Sequence, residues 1–307
     1  MSRQSAAGLA HGAIGTDTGG SIRGPAAYCA LTGLKPTFGL VSRFGVVPLS
    51  YSLDHVGPMT RSAADCRLML EVIAGYDSRD PVSRGEEHWR DDGLLTDLRG
   101  VRVGLLVDLV EELPPEVRSI YQAAIDQLRA AGAAVEPVAV PWLDLVSPLT
   151  MVIATAEAAS YQADWLRERP DDYTPGTLVQ FQTGALLPAS TYLDAQRFRR
   201  QFTDTVNQLF QRFDVLCLPT TSDLPPPISE LSLVPEGSAF AWDGRHTVIA
   251  NLTGCPALAF PCGFTSETLP VSLQIVGRAF ADGFLLRMAE LYQASTSWHR
   301  RRPPAVD

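Results

Sequence analysis

Between residues 101 and 140 the chain passes from apolar strand to amphipathic helix to apolar strand, and this succession constrains its fold more than any other feature. The run Val101-Arg102-Val103-Gly104-Leu105-Leu106 reads as a strand, Pro115–Ala131 as a helix closed by Gly132, and residues 133–140 as a second strand. A β-α-β order indicates a layered α/β architecture. Upstream, residues 62–73 place Ala63, Cys66, Met69, Leu70 and Ile73 at helical spacing, with Ser62 as N-cap and Gly75 beyond the end. The stretch 6–14 reads as the end of a helix running into a buried strand, and Val46, Val47 and Leu49 suggest a short strand. Pro36 biases Lys35 away from helix, so Lys35-Pro36-Thr37 followed by Phe38-Gly39 reads as a turn.

Residues 77–97 are polar and turn-rich and are expected to form an exposed excursion. Residues 150–213 read as mostly helical, interrupted near Pro170–Pro175 and again near Gly184–Pro188. Val215–Leu218, Pro256–Pro261 and Val271–Val276 read as buried strands, and Phe284–Tyr292 as a helix. The prolines at 225–227 read as a connecting loop and the tail from His299 to Pro304 as solvated. With no internal repeat and no marked linker, residues 1–307 are expected to form one domain.

The 46% hydrophobic and 19% charged content is that of a globular chain able to bury a large core. A net charge of −9 argues against direct nucleic-acid contact. Of the 25 basic residues 24 are Arg, and Lys35 is the single Lys. The five cysteines (Cys29, Cys66, Cys217, Cys255, Cys262) are scattered and form no C-x-x-C pair, so neither a zinc site nor a disulfide framework is expected. Cys29, Cys255 and Cys262 read as small buried thiols. Residues 1–10 lack the basic-then-apolar progression of a secretory leader, and no apolar run is expected to span a membrane, which makes a cytoplasmic location the default. No cofactor is implied.

The run Gly15-Thr16-Asp17-Thr18-Gly19-Gly20-Ser21-Ile22-Arg23 carries the chemistry. Acyl transfer needs a hydroxyl on a tight turn with backbone N–H groups free to face a developing oxyanion, and glycines permit that close approach. Alone, a Gly-Gly-Ser triplet is more often an ordinary turn. Its surroundings raise its meaning: Gly24-Pro25-Ala26-Ala27-Tyr28-Cys29, Gly33-Leu34-Lys35-Pro36-Thr37, Val41-Ser42-Arg43 and Ser52-Leu53-Asp54-His55-Val56-Gly57-Pro58 follow in order. Far downstream stand Asn251-Leu252-Thr253-Gly254-Cys255-Pro256-Ala257 and Leu269-Pro270-Val271-Ser272-Leu273-Gln274-Ile275-Val276-Gly277. In order and spacing these blocks resemble the amidase-signature family of serine hydrolases, across nearly the whole chain and most weakly between about residues 78 and 180.

The resemblance implies the family's mixed β-sheet covered by helices. It makes Ser21 the acyl-forming nucleophile, the backbone N–H groups of Thr18, Gly19, Gly20 and Ser21 the oxyanion hole, and Asp17 with Arg23 the braces of the loop. It also implies a Ser-Ser-Lys triad whose lysine base and middle serine lie upstream, the serine within Ser-Ser-Gly-Gly-Ser. Aligned on Ser21 without gaps, that middle serine falls just before Met1, so the chain reads as lacking the N-terminal part of the fold. Ser2 and Ser5 align within the helix that follows the missing loop. Lys35 belongs to a motif downstream of the nucleophile, where a structural role is expected. His55 sits in a family motif and reads as structural; His11 and His246 could serve Ser21 only through the fold, His88 lies in the polar excursion, and His299 in the tail. A misplaced start, a truncated product, or a lysine from a neighbouring polypeptide would each account for the gap.

The expected activity is hydrolysis of a small-molecule carboxamide through a Ser21 acyl-enzyme, impaired by the missing base. The A subunit of a glutamyl-tRNA(Gln) amidotransferase, which would need partner subunits, is one alternative; a non-catalytic truncated remnant is another. The segment Leu53–Pro58 and the C-terminal blocks look more like the stand-alone amidases, for which a homodimer is also compatible. Substrate choice falls to residues 140–240, where Tyr161, Trp165, Phe181 and Tyr192 could line an acyl pocket but at helical spacing read as core.

Overall fold

The computed structural model describes residues 2–84, 93–227, 229 and 243–303. Its eleven helices of α form are α1 (Ser2–Ala6), α2 (Arg23–Tyr28), α3 (Ala63–Ile73), α4 (Val107–Glu111), α5 (Pro115–Ala130), α6 (Val146–Tyr161), α7 (Ala163–Glu168), α8 (Pro175–Ala185), α9 (Ala189–Leu209), α10 (Val248–Thr253) and α11 (Asp282–Ala294) among the described residues. The strands are β1 (Gly12–Asp17), β2 (Thr32–Lys35), β3 (His55–Thr60), β4 (Arg102–Leu106), β5 (Ala134–Val138), β6 (Val215–Pro219), β7 (Ala257–Phe264) and β8 (Pro270–Gly277). They form one sheet in the order β1-β3-β2-β7-β8-β6-β4-β5. The β4–β5 and β4–β6 pairs are parallel and the remaining pairs antiparallel, so the sheet is mixed.

Helix formation follows local chemistry where that chemistry is strong. Ser62 Oγ accepts the Asp65 N–H at 3.1 Å, capping α3, whose Ala63, Cys66 and Leu70 face inward. Pro115 opens α5, where no N–H partner is needed, and Val117, Tyr121, Ala124, Ile125 and Leu128 form its buried stripe. The backbone reverses after α5 at Gly132, whose φ is +106°. Along β6, Val215 and Cys217 face the α3, α5 and α11 layer, whereas Leu216 and Leu218 face the layer of α6, α9 and α10. Both faces of the sheet are therefore covered, and each carries its own apolar core.

Three readings need correction. Val46, Val47 and Leu49 lie in bends and irregular chain, not a strand, and the side chains of Val47 and Leu49 are exposed. The helix near the start ends at Ala6, and β1, an edge strand, is only partly buried. Helix α6 with the turn before it, Leu143–Tyr161, is long and apolar enough by composition to cross a membrane; here Val146, Ile153 and Ala154 pack into the second core. Strands β2 and β3 answer to no expectation at all. Gly57 and Pro58 stand inside β3, and such residues normally argue against an internal strand. His88 lies outside the described residues. Tyr161 and Trp165 are exposed, Tyr192 is partly exposed and Phe181 is buried. Cys255 and Cys262 are buried, but Cys29 is only partly so.

Candidate active site

β1 ends at Asp17, the chain turns over residues 18–22, and α2 begins at Arg23. Asp17 shapes the turn from within: Oδ1 accepts the Gly20 N–H at 2.7 Å and Oδ2 the Ile22 N–H at 3.2 Å. The Arg23 guanidinium meets the same carboxylate in a fork, Nε to Oδ2 at 3.0 Å and Nη2 to Oδ1 at 2.9 Å, with both side chains fully buried. Its remaining N–H groups reach Thr247 O, Gln274 Oε1 and Asn251 Oδ1, each at 2.7 Å. All five guanidinium donors are thereby satisfied. Burial alone would raise the Asp17 pKa, but the charge and hydrogen bonds of Arg23, helped by Asn251, hold the carboxyl well below its ordinary 3.8.

The distant C-terminal blocks close on this pair. Asn251 Nδ2 donates to Asp17 Oδ1 at 2.8 Å and to Asp17 O at 3.1 Å, and Gln274 Nε2 donates to His246 O at 2.5 Å. Thr247 Oγ1 donates to Gly19 O at 2.5 Å. That contact requires glycine next door: Gly20 has φ +135°, and a Cβ there would lie 2.6 Å from Thr247 Oγ1.

A second set of bonds holds the outer side of the loop. Thr18 Oγ1 donates to Asp54 Oδ1 at 2.5 Å, while Asp54 Oδ2 accepts the N–H groups of Leu49 and Ser50 at 2.9 and 3.0 Å. Glu157 on α6 accepts from Ser50 Oγ (2.6 Å), Ser52 N (2.9 Å), Ser52 Oγ (2.8 Å) and Tyr192 Oη (2.8 Å). Arg199 on α9 donates to Ser52 O at 2.9 Å and Leu252 O at 2.8 Å. The helical layer thus positions the segment that fixes Thr18.

Ser21 is exposed, and its side chain hydrogen-bonds no group of the chain among the described residues. The N–H groups of Gly19 and Ser21 likewise donate to no protein acceptor there. Gly20 departs from the expectation, because its N–H is held by Asp17 and does not face the solvent side of the turn. Ser5 is buried in α1 with Oγ unpartnered, and Ser2 is partly buried. His11 is exposed; His55 Nδ1 donates to Leu53 O at 2.6 Å, and His246 Nδ1 lies 3.2 Å from Pro219 O. None of these bonds reaches Ser21. Among the described residues no three His, Cys, Asp or Glu side chains converge as a metal-binding group.

Lys35 is fully buried and donates to Pro36 O at 3.0 Å. Burial first, then the Arg23 charge, push its pKa from 10.5 to about 7, against the smaller pull of Asp17, Cys255 and Asp282. Between those two pH values the unfolded chain binds a proton that the folded chain does not, so folding stability rises with pH across that window. Lys35→Met is expected to flatten this rise. Urea midpoints of both proteins at about pH 7.5 and about pH 9.5 test it; parallel changes in the two proteins would refute it.

The Amidase family profile matches residues 5–286. The chain is 40% identical over 304 residues to an amidase of Pseudomonas putida, covering 96% of this chain and 64% of that protein. It is 38% identical over 323 residues to the A subunit of glutamyl-tRNA(Gln) amidotransferase from Roseiflexus sp. (strain RS-1), covering 97% of this chain and 66% of that one. Its fold superposes on the crystal structure of the corresponding Thermotoga maritima protein with a TM-score of 0.80 at 30% identity, covering 95% of this chain and 64% of that one. An eight-stranded mixed sheet, helical layers on both faces and this sequence kinship define the class: the chain belongs to the amidase family. It spans roughly two-thirds of the length of these relatives.

Proposed function

We propose that this chain carries the acyl-transfer half of an amide-hydrolysing site, with Ser21 as nucleophile. The observation that carries the reading is the state of the loop: Ser21 stands exposed, its Oγ unbonded among the described residues, on a turn that Asp17 and Arg23 hold from beneath. Ser21 Oγ attacks the carbonyl carbon of a small-molecule carboxamide; the oxyanion is met by the N–H groups of Gly19 and Ser21, with Thr18 beside them. The amine leaves and water then cleaves the ester. The serine proton needs an acceptor, and Lys35 and His55 are buried and bonded elsewhere. A serine hydroxyl without a base is a weak nucleophile, so turnover by these residues alone is expected to be slow.

A fluorophosphonate probe tests the nucleophile. It is expected to label Ser21 and to give no labelling in Ser21→Ala, whose stability should stay within about 0.5 kcal/mol because the side chain is exposed. A wild-type protein that is folded yet unlabelled at Ser21 would support the non-catalytic remnant instead. The second reading, the A subunit of a tRNA-dependent amidotransferase, draws on the names of relatives at 38% identity. Ammonia release from glutamine, in preference to simple carboxamides, would favour it.

A further inference from the structure

Beyond the far end of α2 from the Ser21 turn lies a cleft of about 630 Å³, the size of a small-molecule pocket. Arg3, Arg61, His299, Arg301 and Arg302 line it, and among the described residues no Asp or Glu does. The four guanidinium groups around this one cavity repel one another. In a chain of net charge −9 acid is plentiful, and Arg23, Arg43, Arg67, Arg102, Arg245 and others are ion-paired. The five groups of the cleft make no ion pair among the described residues.

Two of their nitrogens are hidden from water and have no hydrogen-bond partner among the described residues: Arg61 Nη1 and His299 Nδ1. Such groups normally find a partner, and each one left alone costs stability. Burial and then the charges of Arg300 and Arg61 lower the His299 pKa, with Asp65 pulling the other way, which marks a local excess of positive charge. Arg301 lies over two aromatic rings, its guanidinium carbon 4.7 Å from the Phe264 ring centroid and 5.3 Å from that of Trp298. Phe264, Leu269 and Pro270 supply an apolar wall beside these charges.

We propose that this cleft binds a phosphate monoester with a flat aromatic body, its phosphate held by Arg61, Arg301 and Arg302 and its ring against the Phe264 wall. Arginine is suited to that task, because its planar donors match phosphate oxygens. The cleft shares no lining residue with the Ser21 turn, so the proposal stands whether or not Ser21 is reactive.

Isothermal titration calorimetry of the full chain with AMP, and separately with inorganic phosphate, tests it. AMP is expected to bind saturably and at least about tenfold more tightly than phosphate, with affinity falling as salt is added. Arg61→Gln and Arg302→Gln should each weaken AMP binding by about tenfold or more. Arg302 is exposed, so its variant retains the fold and guards against a trivial loss. Absence of saturable binding up to about 10 mM AMP, or unchanged affinity in both variants, overturns the proposal. Equal affinity for AMP and phosphate overturns the assignment of an aromatic body.

Discussion

Arg23→Met should destabilise the protein by about 3–5 kcal/mol, the range for breaking a buried ion pair by removing one partner. Asp17 would then keep its charge in a fully buried position with only neutral donors, the Gly20 and Ile22 N–H groups and the Asn251 amide. Thr247 O, Gln274 Oε1 and Asn251 Oδ1 would lose their donor in the same stroke. Urea unfolding followed by circular dichroism measures the loss; a change below about 1 kcal/mol would show that the network does not hold the loop as described. Adding Asp17→Asn should recover part of the loss, since the stranded charge disappears. The pair also sets an acid limit. Its folded-state pKa lies below 3.8, so the Asp17 contribution is complete above that pH and is lost only in stronger acid.

Gly57→Ala should cost about 3 kcal/mol, at the upper end for forcing atoms into a packed interior. A Cβ at this position would lie 2.2 Å from Leu34 O and 2.6 Å from Pro36 Cδ. The first obstacle is backbone and cannot rotate away. To admit the methyl group, β2 and β3 must separate, which shifts Lys35, within electrostatic reach of Asp17 and Arg23, and pulls on the β2–β7 pairing at Leu34 and Lys35. Thermal melting reads the effect, and a melting temperature equal to that of the wild type would mean that the strands yield without cost. Gly57 stands opposite Gly15 in the β1–β3 ladder, so a loss of fluorophosphonate labelling should accompany the loss of stability.

The chain's regular elements are legible where one residue's local chemistry decides them. Ser62 caps a helix, Pro115 starts one, Gly132 reverses the chain, and the stripe from Val117 to Leu128 has one face to bury. The β3 strand escapes such reading, because Gly57 and Pro58 make a poor strand by propensity and are held extended between β1 and β2. The reverse error, a strand at Val46–Leu49, has the same origin: these apolar residues met no neighbouring strand, and while Val46 packs against the core, Val47 and Leu49 remained at the surface.

The amidase family, the α/β class and the loop around Ser21 were all determined by the sequence alone, since contiguous motifs carry them. Only the tertiary structure decided what those motifs do to one another. It places Asn251, Gln274 and Thr247, more than 200 residues along the chain, on the Asp17–Arg23 pair, and Glu157 behind the segment that holds Thr18. It also turns the Gly20 N–H inward to Asp17, leaving the Gly19 and Ser21 amides unengaged among the described residues. The physical reason is that a buried charge must be satisfied from every direction, and the groups that satisfy it need only be close in space, never in sequence.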